Sequence, residues 1–177
     1  MSLCFDFSDE QNMMRDAIQT FCKEEVEPLV EEAEKTESFP LELFPKMAEM
    51  GLLGICFDEK YGGLGLDKVT QCILAEELGK TCAGIAKGVA AHVDLGSLPV
   101  SKFGTEEQKE KYLTPSIAGE MIGALAITEP NAGSDARAIK TNATKDGDSW
   151  ILNGTKTWCS NGVICNYVIV AAYTNKE

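Results

Sequence analysis

The chain changes its hydrophobic period near residue 120, and that change limits what it can fold into. Before it, apolar residues recur at helical spacing. Ser8-Asp9-Glu10-Gln11 is a capping box, in which the Ser hydroxyl serves the backbone three residues on and the Gln side chain reaches back. Met14, Ile18, Phe21 and Cys22 follow on one helical face, with charge on the other. Pro28, in Glu-rich sequence, predicts a break or kink. Residues 40–50 predict a second helix, with Pro45 near its first turn and Gly51 as its stop. Residues 67–78 predict a third, stopped by Gly79. Residues 81–103 predict a fourth, weakened by Gly84, Gly88 and Gly96. Thr105-Glu106-Glu107-Gln108 is a second capping box, opening a short helix towards Tyr112.

After residue 120 the signals are those of strands. Residues 122–127 form a compact apolar run. Asp146-Gly147 separates 140–144 from 149–152 and predicts a hairpin; Asn153-Gly154 separates 150–152 from 156–159 and predicts a second. Residues 167–173 are rich in Val, Ile and Tyr and predict a further strand. The fold class is therefore α+β: an all-helical domain over 1–118, then an up-and-down β segment over 119–177 that does not close. Its last strand is apolar on both faces, so further sequence or another chain is expected to complete the sheet.

Composition narrows the function. Lys and Arg number 16 against 28 Asp and Glu, a formal charge of -12, which argues against nucleic-acid binding as the main role. One phosphorylated ligand is still allowed, because a local nest of backbone N–H groups can hold a phosphate. Seven cysteines without a Cys-x-x-Cys pair point to reduced thiols in a cytoplasmic protein rather than to zinc or a disulfide framework. With a single histidine, no metal site is expected. No apolar run reaches the ~20 residues of a membrane span, and no signal peptide is visible. Met1-Ser2-Leu3 is either native sequence or an appended leader.

Two motifs attract attention and lead nowhere. Gly62-Gly63-Leu64-Gly65 has no third glycine at the dinucleotide spacing and no strand–turn–helix around it, so it reads as a loop. His92, after an apolar helix, reads as structural; no Gly-x-Ser-x-Gly accompanies it.

Two other runs have the chemistry of a site for a flat, phosphate-bearing cofactor. In Thr128-Glu129-Pro130-Asn131-Ala132-Gly133-Ser134-Asp135, Gly133 lets backbone approach a ligand, and Ser134 and Asp135 can shape a turn. A plain strand-exit turn explains the composition equally well. In Trp158-Cys159-Ser160, a strand would place Trp158 and Ser160 on one face, an indole for stacking beside a hydroxyl for hydrogen bonding. An ordinary buried Trp beside a turn explains this run taken alone.

In this order and spacing the two runs resemble the acyl-CoA dehydrogenase family of flavoproteins. The resemblance covers the whole chain. It takes in Phe7-Ser8-Asp9-Glu10-Gln11, Met50-Gly51-Leu52-Leu53-Gly54 and Glu59-Lys60-Tyr61-Gly62-Gly63-Leu64-Gly65. It continues through Ala75-Glu76-Glu77-Leu78, Phe103-Gly104-Thr105-Glu106-Glu107-Gln108-Lys109 with Lys111-Tyr112-Leu113, and Leu152-Asn153-Gly154-Thr155-Lys156. The run from Ala126 to Asp135 is its most specific part. The resemblance implies a helical domain, part of an antiparallel, barrel-like middle β domain, and a carboxy-terminal four-helix bundle that these residues do not encode. It implies FAD as cofactor, bound by Leu125, Ile127, Thr128, Gly133, Ser134, Trp158 and Ser160. Thr128 would bond the ring edge, Trp158 would stack on the ring and Ser160 would bond its N5 region. Ser134 would also touch the acyl-CoA substrate. Where the family often has Ile and Thr, this chain has Cys159 and Ser160; Cys159 is expected to face away with little effect.

The family reaction is α,β-dehydrogenation of an acyl-CoA thioester, with electrons passed to an electron-transfer flavoprotein and the enzyme a homo-oligomer. Its base is a glutamate expected beyond Glu177, so no catalytic residue is assigned in this chain, and Glu129 is given no such role. Two alternatives stand beside this reading: a truncated, non-catalytic remnant, and an acyl-CoA oxidase that uses oxygen as acceptor.

Overall fold

The computed structural model describes residues 6–175; Met1-Ser2-Leu3 and Cys4 lie outside it, as do the last two residues. Helix α1 (Asp9–Phe21) starts at the expected capping box, with Gln11 N–H donating to Ser8 Oγ at 3.1 Å and Ser8 N–H to Gln11 Oε1 at 3.0 Å. The chain then widens into a π-helical stretch, Cys22–Val26, and continues as α2 (Glu27–Thr36). Pro28 does not break the helix. It falls just after the π-helical stretch, whose wider turn takes up the residue that cannot donate an N–H.

Helix α3 (Leu43–Glu49) is shorter than expected, because the residues before it form turns, Leu43 N–H to Pro40 O and Phe44 N–H to Leu41 O. Gly51 ends it in a left-handed conformation, φ 73°. Helix α4 (Lys68–Thr81) is capped by Asp67, whose Oδ1 accepts from Thr70 N–H at 2.8 Å. It runs through Gly79, around which there is open space, and stops where Cys82 turns extended. Helix α5 (Ala83–Ala90), a π-helical stretch (Ala91–Ser97) and α6 (Leu98–Phe103) make up the fourth helical segment. Thr105 caps α7 (Glu106–Gln108), which leads through π-helical Lys109–Leu113 into α8 (Thr114–Ile117). Ile18, Leu43, Phe44, Met47, Leu53 and Leu113 are the fully buried centre of the helical core.

The strands are β1 (Gly123–Ala126), β2 (Asn142–Asp146), β3 (Ser149–Asn153) and β4 (Tyr167–Val170). The first hairpin forms as expected: β2 and β3 are antiparallel, Asp146 lies opposite Ser149, and Gly147 (φ 57°) turns the chain. The second hairpin does not form. A Cβ on Gly154 would lie 2.2 Å from Thr141 Oγ1, so the chain crosses closely over Thr141 instead of folding back on β3, and residues 154–159 are not a strand. The up-and-down order gives way with it. β4 pairs with β1 in parallel, Gly123 opposite Tyr167 and Ala126 opposite Val170. Past β4, Tyr173 N–H donates to Thr141 O and Ala143 N–H donates to Tyr173 O, tying the hairpin alongside.

A tight seam joins the helices to β1. Gly96, in the π-helical stretch, meets Gly123 backbone to backbone: a Cβ on Gly96 would lie 2.5 Å from the Gly123 carbonyl carbon. His92, one turn earlier, is completely buried. Gly123 N–H donates to its Nδ1 at 3.0 Å, so the ring proton sits on Nε2, which donates to Ser116 O at 3.1 Å. The Phe44 ring meets the imidazole edge-on at 5.2 Å. Ser116 Oγ lies 3.1 Å from the Tyr167 hydroxyl, carrying the network into β4. The sole histidine is thus a structural bridge.

Among the described residues no helix is long and apolar enough to cross a membrane, no cluster of His, Cys, Asp or Glu could hold a metal ion, and six cysteines are free thiols.

Burial lowers the His92 pKa from the usual 6.5 to about 4, against the opposing pull of the Ser116 carbonyl. The neutral ring is the native form, so its contribution is complete above pH 6.5 and lost as pH falls towards 4, where the unfolded chain takes up the proton first. The shift corresponds to about 3 kcal/mol. Urea unfolding at pH 7, 6, 5 and 4 should show stability falling over this window. His92→Gln should be less stable at pH 7 but lack that slope; equal slopes in both proteins would contradict the assignment.

Candidate functional site

The residues singled out from the sequence fall on two neighbouring segments. Leu125 is half-buried on β1, and Ile127 and Thr128 follow where the strand ends. Residues 157–160 run beside them. Thr157 N–H donates to Thr128 O at 2.9 Å, and the Cys159 thiol donates to Leu125 O at 3.5 Å. Burial raises the Cys159 pKa, which keeps it a protonated thiol facing β1 rather than a nucleophile. Cys159 therefore points at β1, and Trp158 points away from it.

Trp158 and Ser160 do not lie on a strand, so the period-two argument for their shared face fails. Trp158 instead has a left-handed backbone, φ 56°, a strained conformation for a bulky residue. Its side chain is 90 % exposed. Ser160 is half-buried. The hydroxyls of Ser160 and Thr128 make no hydrogen bond among the described residues, and Thr157 Oγ1 is buried without a partner. The result is an open face with an exposed indole, the half-buried Thr128 and Ser160, and one buried hydroxyl, that of Thr157, without a partner.

Gly133 and Ser134 lie further out. Glu129 and Ala132 exchange backbone bonds at 2.9 and 3.1 Å, closing a turn over Pro130 and Asn131. Beyond it Gly133 has open space around it and Ser134 is exposed. Of the pair read as turn-shaping, Asp135 does so, accepting from Arg137 N–H at 3.2 Å, and Ser134 forms no such bond. Among the described residues no hydrogen bond joins Ser134 to Trp158 or Ser160. A separate apolar cavity of about 140 Å³ between α4 and α5, lined by Leu74, Leu78, Val89 and Val93 among others, contains none of the candidate residues.

Sequence reasoning missed the clasp that holds the two segments together. Glu129 is 8 % exposed. Its Oε1 accepts from the Thr141 hydroxyl at 2.5 Å, Thr141 N–H at 2.9 Å and Lys156 Nζ at 2.9 Å, and Oε2 accepts from Lys140 N–H at 2.6 Å. Lys156 Nζ also donates to Ile127 O at 2.9 Å. These bonds, with the Thr141 hydroxyl foremost, lower the Glu129 pKa to about 2. A carboxylate so committed holds the loop and cannot take a proton from a ligand at neutral pH.

Because the folded pKa is depressed, the stabilisation from Glu129 is present above pH 4.5 and is lost as pH falls towards 2. Glu129→Gln should lower stability at pH 7 and flatten the acid limb of a thermal-unfolding series between pH 4.5 and 2.5. Superimposable acid limbs would contradict the clasp.

Comparisons with known proteins agree on one family. The model of the acyl-CoA dehydrogenase N-terminal domain matches residues 8–120, and that of the acyl-CoA dehydrogenase middle domain matches residues 124–177. The chain is 44 % identical over 173 residues to the probable acyl-CoA dehydrogenase YngJ of Bacillus subtilis, covering 98 % of this chain and 46 % of that protein. The solved butyryl-CoA dehydrogenase of Megasphaera elsdenii superposes with a TM-score of 0.90 at 38 % identity, over 98 % of this chain and 46 % of that one. The acyl-CoA dehydrogenase of Bacillus anthracis, solved complexed with FAD, gives a TM-score of 0.88 at 42 % identity over 94 % of this chain and 29 % of that one. The chain spans about half the length of the curated relatives it matches.

Proposed function

The chain belongs to the acyl-CoA dehydrogenase family, and from that premise we propose that it supplies one wall of an FAD site in an enzyme that dehydrogenates acyl-CoA thioesters. One observation carries the reading. Trp158 is held in a strained backbone with its indole almost wholly in water, next in the chain to Thr157, whose buried hydroxyl lacks a partner. Strain and lost burial persist where a ligand repays them. A flat ring with polar edges does so, and no residue in the face carries an unpaired charge that would repel it; Lys156 is already paired with Glu129.

In this reading Trp158 stacks on the ring. Ser160 and Thr128 bond its edges, Leu125 and Ile127 give apolar cover, and Gly133 leaves room for backbone to approach. Bound FAD supplies the electron-accepting ring for α,β-dehydrogenation. Ser134, exposed past the turn, contacts the acyl-CoA. Glu129, committed to the clasp, is not the base that removes the α-proton, and turnover by the 177 residues alone is not expected. The acceptor is an electron-transfer flavoprotein and the working assembly a homo-oligomer. Free thiols at all six described cysteines suit a reducing, cytoplasmic setting.

Visible spectroscopy of the purified chain titrated with FAD tests the reading. One flavin per chain is expected, with no bleaching by a saturated acyl-CoA. Trp158→Ala should weaken FAD binding by roughly three- to tenfold, the usual worth of an aromatic stack. Equal affinity in the variant would remove Trp158 from the site, and no FAD binding by the parent chain would defeat the proposal for these residues.

A further inference from the structure

The Trp158–Ser160 loop is also tied to the helices. Asn161 Nδ2 donates to the Gly88 carbonyl of α5 at 2.8 Å, a bond between residues 73 apart in the chain. Asn161 has a left-handed backbone, φ 63°, which Asn adopts far more readily than most residues. Its own carbonyl accepts from Ile164 N–H at 3.0 Å and Cys165 N–H at 2.9 Å, closing the turn that follows the loop. One residue thus closes the loop and anchors it.

Gly88 is shaped to receive it. A Cβ there would lie 2.4 Å from the Phe39 ring, so a larger residue would displace Phe39, and 3.4 Å from Asn161 Oδ1, an ordinary contact that leaves the amide seated against the helix. Gly88 lies in the last turn of α5, just before the helix widens, and its carbonyl also accepts from Ala91 N–H. Phe39 stacks on Phe44 at 5.2 Å, and Phe44 meets His92 at 5.2 Å. The anchor therefore rests on the same packed rings that brace the seam to β1.

We propose that Asn161 is a positioning residue: by clasping Gly88 it fixes the height and tilt of Trp158 over β1 and so sets flavin affinity through the loop rather than by contact with the ring. The inference rests on the flavin reading above and goes beyond it, because it assigns part of the binding strength to a helix on the other side of the loop.

Asn161→Gly accepts the left-handed backbone and has no amide to give, though it also frees the backbone, so Asn161→Asp is the closer control for the amide. Asn161→Asp keeps the size and turns an acceptor towards the Gly88 carbonyl. Both are made in a Trp150→Phe background, which leaves Trp158 as the sole indole. Time-resolved anisotropy of Trp158 in the FAD-free chain reads loop mobility, and an FAD titration reads affinity. Both variants should show faster, larger local depolarisation with an unchanged far-ultraviolet circular dichroism spectrum, and FAD affinity should fall roughly tenfold, the worth of one well-placed hydrogen bond. Unchanged anisotropy in both variants overturns the clasp, whatever FAD does. Faster depolarisation with unchanged affinity overturns its role in binding. If the parent chain takes no FAD, the flavin reading falls and the affinity role with it, while the anisotropy still decides whether Asn161 holds the loop.

Discussion

The contact between Gly96 and Gly123 decides where β1 lies, and the candidate site follows from β1. Carbon atoms pack without strain at about 3.5–4.0 Å. A side chain on Gly96 would stand 2.5 Å from backbone that cannot swing aside. Only two bare backbones fit, and that closeness lets the buried His92 ring span the gap. The imidazole gives the seam its polarity as well as its spacing. It accepts from one backbone N–H and donates to one backbone carbonyl, satisfying two buried groups that would each cost about 1–3 kcal/mol if left unpaired.

From that fixed strand the site is assembled by strand pairing and by a few side chains that bond to backbone. β4 lies parallel to β1, and Asn166 Oδ1 accepts from Ile122 N–H at 2.8 Å as the chain approaches it. The return segment can then lay Thr157 against Thr128 and Cys159 against Leu125. The Glu129 clasp closes the outer end and the Asn161 clasp the inner end. Between them Trp158 is turned outward by its left-handed backbone. The exposed indole is a consequence of anchors on both sides, which is why it reads as a built feature and not as a frayed loop.

Much of this was legible in the residues where the governing forces are local. Both capping boxes, the β2–β3 hairpin and the compact β1 follow from neighbours a few positions apart. Gly79 looks like a stop, but a lone glycine is tolerated within a helix and α4 continues to Thr81. The other failures have long-range causes. Asn153-Gly154 looks like a hairpin turn, but Gly154 answers to Thr141 across the sheet. The segments that carry Leu125 and Thr128, and Trp158 and Ser160, lie side by side, though the second runs through a left-handed turn that strand periodicity does not foresee. Glu129 gave no sign beyond its motif, since its partners Thr141 and Lys156 are 12 and 27 residues away. Asn161, followed by Gly162, did carry a local signal: that dipeptide favours left-handed backbone.

In the proposed function FAD binds the face formed by residues 125–128 and 157–160. Amide hydrogen exchange of the chain, followed with and without FAD, locates the ligand directly. Binding there slows exchange in those two segments and leaves the Gly62–Gly65 loop unchanged. Protection confined to that loop, or to the cavity between α4 and α5, would contradict it.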